Sequence, residues 1–348
     1  MSIITRVAEP RITSLCQINL PREPFIDNVW RRDEKGGRHE AHQWLGLING
    51  PGSIRPDDRS TRAFFSSSPM LDIRFWRGDI PRVVSRSVMV HMMNKERAKG
   101  PRVGDAIGEV LRAGQKGLRD GTIATIHEVM ERDDGLVLSA PIAPWFASVD
   151  QWPERDRPLL DMVAGRVLDI GAGAGRAARA LTDRGLDVVP IDISPGAVEV
   201  CKTQGFASAM CTTVYEHAAT TRARYDTFLL FGGNLGLLES RENAPRFLTA
   251  LATMAAPGAR VVGQGRNLTA SNDPLHLAYN EDNLRRGRVA GQRTLRIRYR
   301  DLATPWFEYL CCAPEELATF AAEAGWELVD VVPTDNSVFF ATLELQGR

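Results

Sequence analysis

The sequence predicts an α/β fold in which a mostly parallel β-sheet is covered by helices on both faces. From about residue 158 onward, short apolar segments of strand length alternate with segments of helix length, the pattern of parallel strands joined by helical crossovers. A glycine-rich loop joins the first of these strands to the next helix. Two strand-like segments joined by a short turn close the chain and predict an antiparallel pair in the same sheet.

The elements follow in order along this half of the chain. A helix ends near residue 163, and strands are predicted at 166–170, 187–191, 225–231, 260–264, 294–300, 306–311, 327–332 and 337–345. Helices are predicted from the glycine loop to about residue 181, and at 195–204, 244–254 and 314–324. The helix at 195 follows Ser194 and begins with Pro195, which is typical of a capped helix start.

The front of the chain has no pattern that identifies a fold. Residues 1–65 are rich in Pro, Gly, Arg and Asp. Farther along, a strand is predicted at 83–92, a helix interrupted by glycines at 103–118, and another strand at 122–130.

Charge is distributed unevenly along the chain. Residues 1–126 carry a net charge of +7 and the remainder carries −7, so the front attracts either an anionic partner or the acidic rest of the chain. We therefore predict an N-terminal accessory α+β region, 1–140, that serves as a lid, a substrate-binding element or a homodimer interface. The second predicted domain is 141–348.

Cysteine and histidine usage predicts neither a disulfide framework nor a metal site. The five cysteines are odd in number and form no C-x-x-C pair, which fits a reducing cytoplasm. His39 and His42 are three residues apart, but Glu40 is not placed as in H-E-x-x-H, and no third ligand is identifiable. A secretory signal and an apolar run of roughly 18 residues, the length of a membrane span, are both lacking, so we expect a cytoplasmic protein without a membrane partner.

The most specific motif is the loop after the strand at 166–170. Residues 167–176 are VLDIGAGAGR; glycines permit a tight turn and close approach of a ligand, and the following helix offers free N–H groups. A dinucleotide-binding G-x-G-x-x-G loop would place its third glycine at Arg176, whereas here it is Gly175. The Asp169 carboxylate would repel a diphosphate but suits a cationic ligand.

A second acidic residue, Asp192, ends the next strand. A carboxylate at this place accepts hydrogen bonds from both ribose hydroxyls of a nucleoside, a device that NAD-binding proteins share. An alternative role is to cap the following helix, for which Ser194 is the better candidate. Asp192 therefore indicates an adenosine-containing cofactor without choosing between cofactors.

Residues of about 158–345 resemble a class I S-adenosylmethionine-dependent methyltransferase, whose E/D-x-G-x-G-x-G motif and ribose acid match here. The resemblance implies S-adenosylmethionine as the cofactor and a Rossmann-like seven-stranded sheet, mostly parallel, with an antiparallel last strand. It further implies contacts to the cofactor at Asp169, Gly171, Ala172, Gly173, Gly175, Asp192, Ile193, Phe231 and Gly232.

One stretch departs from the pattern of that family. After the third strand the family often has an acid that contacts the adenine amino group, whereas residues 209–215 here are AMCTTVY. Thr212 and Thr213 lie near the expected place, and a threonine hydroxyl or the backbone would serve instead.

Candidates for contact with the methyl acceptor lie after the fourth and fifth strands of this half. Asn234 either contacts the substrate or holds its turn, and the absence of an Asn/Asp-Pro-Pro-Tyr sequence argues against a nucleic-acid base as acceptor. The insertion at 267–292 lies where open α/β proteins bind ligands. It offers His276 as a base, with Tyr279 at helical spacing; the alternative for His276 is a structural or solvated histidine.

Arginines and aromatic residues add further candidates. The insertion also contains Arg285, Arg286 and Arg288, which could hold a carboxylate or phosphate. Two aromatic segments, 144–146 with Trp152, and 305–309, either wall an apolar substrate or belong to the core.

The predicted reaction is methyl transfer from S-adenosylmethionine to an O, N or C nucleophile of a small molecule by in-line displacement. Because the sulfonium is already an activated leaving group, the protein mainly positions the acceptor, which can lower a barrier by roughly 7–11 kcal/mol. Alternatives are a methyltransferase acting on protein, peptide or RNA, and a non-catalytic cofactor-binding module. An NAD-dependent enzyme is disfavoured by Asp169 and Arg176, and nucleic acid is not an expected partner.

Overall fold

The computed structural model describes residues 100–269, 271–335 and 337–347. It also describes the backbone of short strands nearer the N-terminus, which are Ser2–Arg6, Leu15–Asn19, Ala63–Phe64, Ile73–Arg77 and Ile80–Val84. His39, His42 and most of the strand predicted at 83–92 lie outside the described residues.

The chain divides into two compact units, Pro21–Pro101 and the remainder, which combines Met1–Leu20 with Arg102–Arg348. In the smaller unit, the last three of the short strands form an antiparallel sheet in chain order. In the larger unit, the first two short strands pair antiparallel with each other.

A seven-stranded sheet is the largest sheet of the larger unit. Its strands are β1 (Arg166–Ile170), β2 (Asp187–Asp192), β3 (Met210–Cys211), β4 (Tyr225–Leu230), β5 (Ala255–Arg266), β6 (Trp326–Asp335) and β7 (Val338–Leu345). They lie in the order β3-β2-β1-β4-β5-β7-β6. The strands β1 to β5 are parallel, and β7 is antiparallel to both of its neighbours. The predicted α/β fold with an antiparallel last strand is confirmed.

Helices cover both faces of this sheet. The α-helices of the described residues are α1 (Ala106–Asp120), α2 (Leu159–Met162), α3 (Arg176–Thr182), α4 (Pro195–Thr203), α5 (Val214–Thr220), α6 (Asn243–Thr253), α7 (Pro274–Arg285) and α8 (Pro314–Glu323). Val167 of β1 packs in one core with α2, α3 and α4, whereas its neighbour Leu168 packs in another with α5, α6 and α8. Burial on both faces explains why these strands are almost continuously apolar.

A second, mainly antiparallel sheet lies beside the loops of the first. This sheet, which we call the second sheet, comprises Arg102–Val103, His127–Arg132, Val137–Pro141, Gln292–Tyr299, Leu302–Ala303 and Phe307–Leu310. The strands predicted at 294–300 and 306–311 belong here, because Gln292–Tyr299 pairs with His127–Arg132 rather than with the large sheet. The second sheet takes strands from both sides of residue 140, and the division into domains at that point stays a prediction.

Helix α1 packs against the start of α4 through glycine. It begins at Ala106 because the Asp105 carboxylate caps it, accepting a hydrogen bond from the Gly108 N–H at 2.8 Å and another from the Gly196 N–H at 2.9 Å. A Cβ built on Gly196 would lie 2.5 Å from the Gly108 Cα. Gly108 is therefore a helix contact and does not interrupt the helix. Among the described helices, none has both the length and the apolar character of a membrane span.

Candidate active site

A cavity of about 510 Å³ lies at the C-terminal ends of β1, β4 and β5, where open α/β sheets bind their ligands. Residues 169–177 and 231–234, which lie in and after β1 and β4, contribute what we call the loop wall. Residues from 128–140, 293–295 and 309–311, in and beside the second sheet, contribute what we call the sheet wall.

The loop after β1 needs glycine at two positions. Gly171 and Gly173 have φ values of +70° and +58°, in the left-handed region that side chains disfavour. A Cβ on Gly173 would lie 2.7 Å from the Trp145 ring, and one on Gly171 would lie 2.7 Å from Nδ2 of Asn234. The Asn234 amide donates to the carbonyls of Ile170 and Gly171, both at 2.9 Å, and so fixes the loop against the end of β4.

Asp169 of β1 lines the cavity although it is only 2% exposed. Its Oδ2 atom has no hydrogen-bond partner among the described residues. Burial, followed by the charge of Asp192, raises the pKa of Asp169 to about 7. A cation at this oxygen would offset the cost of burying a carboxylate, so the position suits a positively charged ligand group.

Asp192 ends β2 beside the glycine loop. One carboxylate oxygen accepts a hydrogen bond from the Gly173 N–H and the other from the Ser194 N–H, both at 2.9 Å. Ser194 is the cap of α4, because its hydroxyl accepts a hydrogen bond from the Ala197 N–H at 3.0 Å. The oxygens of Asp192 keep lone pairs for further donors, and the adjacent Ile193 is 69% exposed.

Thr212 and Thr213 lie at the start of α5. Thr213 forms a capping box with Glu216, in which each side chain accepts a hydrogen bond from the other residue's N–H. The Thr212 N–H donates to the Asp192 carbonyl at 3.0 Å, whereas its hydroxyl makes only long contacts of 3.3 and 3.4 Å. The hydroxyl of Thr212 is therefore freer to bind a ligand than that of Thr213.

His276 lies in the first turn of α7 and lines the cavity. Its Nδ1 is 3.3 Å from Nη1 of Arg132. A guanidinium can only donate, so Nδ1 accepts and the proton of the neutral ring lies on Nε2. Burial, followed by the charges of Arg132 and Arg293, lowers the pKa of His276, so this imidazole is neutral near pH 7 and a weak base.

Tyr279, one turn farther along α7, is not among the residues that line the cavity. Its hydroxyl donates to the Asp133 carboxylate at 2.6 Å. The guanidinium groups of Arg132 and Arg293 lie over its ring, 4.2 and 4.9 Å from the ring centroid. Tyr279 therefore contacts two arginines of the sheet wall without lining the cavity itself.

Glu128 is the acidic residue of the sheet wall. It shares one face of the strand His127–Arg132 with Met130 and Arg132, and all three line the cavity. Burial raises the pKa of Glu128 to about 7, against the effect of a hydrogen bond with the Trp145 side chain. A carboxyl group with such a pKa is suited to accept a proton at neutral pH.

Comparison with known proteins agrees with this geometry. A family described as a methyltransferase domain matches residues 150–331, more than half of the chain. The chain belongs to the S-adenosylmethionine-dependent methyltransferases. Its glycine loop, its acid at the end of β2 and its cavity all lie in the matched segment or border it.

Two similar proteins illustrate the extent of the match. An S-adenosylmethionine-dependent methyltransferase from Bacteroides fragilis, solved with S-adenosyl-L-homocysteine, superposes with a TM-score of 0.58 and 23% identity over 70% of this chain and 95% of that one. A ubiquinone biosynthesis O-methyltransferase from Azoarcus sp. (strain BH72) is 32% identical over 101 residues, 28% of this chain. The aligned segment spans 42% of the length of that curated relative.

The groups around the loop wall fit S-adenosylmethionine, the cofactor of the methyltransferase. The cofactor carries an ammonium group, which matches the unpaired buried oxygen of Asp169. Its ribose hydroxyls match the carboxylate that ends β2, and Gly171 and Ala172 of the glycine loop line the cavity beside it. A diphosphate, by contrast, would meet the Asp169 carboxylate.

Some of the site residues predicted from the sequence line the cavity, and others do not. The predicted residues that line it are Asp169, Gly171, Ala172, Phe231, Gly232, Asn234 and His276. Those outside its lining are Gly173, Gly175, Asp192, Ile193, Thr212, Thr213 and Tyr279. Gly175 is the N-cap of α3, with φ of +78°. The role of each residue toward cofactor or substrate stays a prediction.

The predicted arginines at and after the end of α7 lie outside the cavity lining. Arg285 and Arg286 pair with Asp282, and Arg288 pairs with Glu308. Each of the three is thus already paired with a carboxylate, although Arg285 and Arg286 share one.

The aromatic segments divide between cavity and core. Pro144, Trp145 and Tyr309 line the cavity. Trp152 is buried, with its ring 5.1 Å from that of Phe231, and Trp306 lies under the guanidinium of Arg296.

Sequence reasoning missed five charged residues of the methyltransferase cavity, Glu128, Arg132, Arg176, Arg266 and Arg293. Glu128 and Arg132 lie on one face of the strand His127–Arg132, which the sequence predicted at 122–130. Charged residues on one face of a strand are the signal that could have found them.

Proposed function

We propose that this methyltransferase transfers the methyl group of S-adenosylmethionine to a small molecule bound between the loop wall and the sheet wall. The observation that carries the proposal is the cavity, whose volume of about 510 Å³ falls in the range of roughly 300–1,000 Å³ typical of small-molecule sites. The Azoarcus relative, named for O-methyl transfer in ubiquinone biosynthesis, is consistent with such an acceptor.

At the loop wall, we assign the cofactor to the two acidic residues and the glycines. Asp169 accepts hydrogen bonds from the cofactor's ammonium group, and Asp192 accepts them from the ribose hydroxyls. Gly171 and Ala172 line the cavity where the cofactor would lie, Gly173 donates its N–H to Asp192, and Asn234 holds the loop in place. When bound, the cofactor would supply a methyl group on a sulfonium; an acceptor in line with the methyl–sulfur bond would form a bond to the methyl carbon as the bond to sulfur breaks, and S-adenosylhomocysteine would leave.

At the sheet wall, Glu128 is our candidate for the base that takes a proton from an oxygen or nitrogen acceptor. Trp145 contacts both walls, since it adjoins Gly173 and hydrogen-bonds Glu128, and it would exclude water from the transfer. His276 remains the alternative base. With its proton on Nε2, it would instead donate a hydrogen bond to the acceptor.

The test is transfer from S-adenosylmethionine to panels of small hydroxyl, amine and carbon nucleophiles, alongside peptides and RNA. We expect a mass gain of one methylene on small molecules, together with release of S-adenosylhomocysteine. Asp192→Ala should abolish cofactor binding and turnover, whereas Asp183→Ala, at an exposed acid, should not. Transfer to peptide or RNA alone would overturn the proposal, and cofactor binding without any transfer would favour a non-catalytic module.

A further inference from the structure

Positive charge predominates in the part of the cavity that we assign to the methyl acceptor. Arg132, Arg266 and Arg293 line it, with Glu128 as the acidic group nearby. Arg132 is neutralised by Asp134, to which it donates two parallel hydrogen bonds of 2.8 and 2.7 Å. The other two arginines form no ion pair with a carboxylate among the described residues.

Arg293 is held by neutral groups. It is 2% exposed, and its terminal nitrogens donate to the carbonyls of Ala290 and Gln292 and to the side-chain oxygen of Asn280, at 2.8, 3.0 and 2.6 Å. Its Nε has no partner within the described residues. These contacts fix the guanidinium without balancing its charge, which is costly for a buried cation.

Arg266 is the second arginine without an ion pair among the described residues. It is the last residue of β5, its side chain is exposed, and it lines the cavity. Within the described part of the chain its side chain makes no hydrogen bond or ion pair, whereas its backbone pairs with Val338 of β7. A guanidinium of this kind can turn toward a ligand at little cost.

The charges of the three arginines act on residues of the sheet wall. Burial raises the pKa of the Cys311 thiol to about 11, while Arg293, Arg266 and Arg132 each act to lower it. Arg266 and Glu128 also act in opposite directions on the pKa of Tyr309. The cations and the candidate base line the same cavity as Tyr309 and Cys311, and their charges act on these two residues.

We propose that the methyl acceptor carries a carboxylate, which binds Arg266 and Arg293 and thereby turns the nucleophile toward Glu128. This inference rests on the proposed function. Guanidinium groups are well matched to carboxylates, with which they form charge-assisted hydrogen bonds. Binding a carboxylate would balance the charge of Arg293 that the described residues leave uncompensated.

The cofactor's own carboxylate is a second source of the same chemistry. The loop wall has a cation of its own for that group, Arg176, whose guanidinium lies 4.5 Å from the Phe231 ring centroid and acts on the pKa of Asp169. We therefore assign Arg266, at the end of β5, and Arg293, in the sheet wall, to the acceptor. The two assignments predict different effects of the same substitution.

The experiment measures binding of 4-hydroxybenzoate and of its neutral analogue 4-hydroxybenzamide to the full chain saturated with S-adenosylhomocysteine. Calorimetry or ligand-observed NMR gives both affinities. We expect the carboxylate to bind at least about tenfold more tightly than the amide, a difference of about 1.4 kcal/mol. Arg266→Gln should remove most of this preference and Arg266→Lys should retain part of it. Arg222→Gln, which removes an exposed charge outside the cavity lining, should leave it unchanged.

Each other outcome counts against the inference. Equal affinity for the two probes, no binding of the carboxylate, or an unchanged preference in Arg266→Gln would overturn it. If Arg266→Gln instead weakens S-adenosylhomocysteine binding and spares the preference, the arginine serves the cofactor. The same samples give the affinity for S-adenosylhomocysteine, which tests the proposed function separately. If the wild-type protein does not bind S-adenosylhomocysteine, the proposed function is wrong.

Discussion

The loop wall is shaped mainly by backbone, whereas the sheet wall presents mainly side chains to the cavity. In the loop wall, the N–H groups of Gly171 and Ala172 both donate to the carbonyl of Ile191, and the conformation depends on glycine. In the sheet wall, Glu128 and Arg293 come from strands that are far apart in sequence and meet through the second sheet.

This difference suits the two ligands that we assign to the walls. A cofactor is the same in every turnover and across related enzymes, so a backbone-built site can be fixed in a short local motif. An acceptor differs between enzymes, and exchanging side chains on a sheet changes its charge pattern without changing the fold. Substitutions in the two walls should therefore affect different constants.

The largest effect is expected from Gly173→Val, which disrupts the loop wall and the Trp145 ring beside it. A branched side chain at φ of +58° is strained, and its Cβ would lie 2.7 Å from the Trp145 ring. We expect S-adenosylhomocysteine binding, measured by calorimetry, to fall by at least about 100-fold, or about 2.7 kcal/mol. Gly185→Val is the control, because Gly185 also has positive φ (+85°) but has no atom within 4 Å of its Cβ position. Equal affinity in Gly173→Val and wild type would show that the loop does not hold the cofactor.

The next largest effect is expected from Glu128→Gln, which tests the sheet wall. Loss of a general base costs about 100-fold or more in turnover, while S-adenosylhomocysteine affinity should not change. The wild-type kcat should rise with pH through about 7, as the Glu128 carboxyl loses its proton, and the variant should lack this rise. The matched control is Glu131→Gln on the same strand, whose carboxylate pairs with Arg296. An identical pH profile in Glu128→Gln and wild type would remove Glu128 from the base role.

The two walls also differ in how far the sequence alone could predict them. The strand, glycines and acid of the loop wall lie within ten residues, so their local pattern specifies both the turn and the ligand chemistry. The sheet wall arises from pairing of Gln292–Tyr299 with His127–Arg132, and no local pattern encodes so distant a partner. For the same reason, the strands at 294–300 and 306–311 could be predicted as strands but not placed in their sheet.

The smallest expected loss of function is that of Asp169→Asn, which should lower affinity but raise stability. Burial and Asp192 raise the pKa of Asp169 to about 7 in the folded chain, above the value of about 3.9 for an unperturbed aspartate. The folded state then binds the proton more tightly than the unfolded state, so this group's contribution to stability is present at low pH and is lost as the pH rises from about 4 to 7.

At pH 8 without ligand, urea unfolding of Asp169→Asn should therefore give a free energy about 2–4 kcal/mol higher than that of wild type, and the gain should shrink toward pH 4. Affinity for S-adenosylhomocysteine should fall by about tenfold, because an amide cannot balance the ammonium charge. Asp183→Asn, at an exposed position, should change neither quantity. A variant that is less stable than wild type at pH 8 would mean that Asp169 is already satisfied by the protein, and its place in the loop wall would then be structural. A carboxylate that binds the cofactor lowers the stability of the free protein, and the bound cofactor offsets that cost. A carboxylate that the protein itself satisfies has no such cost.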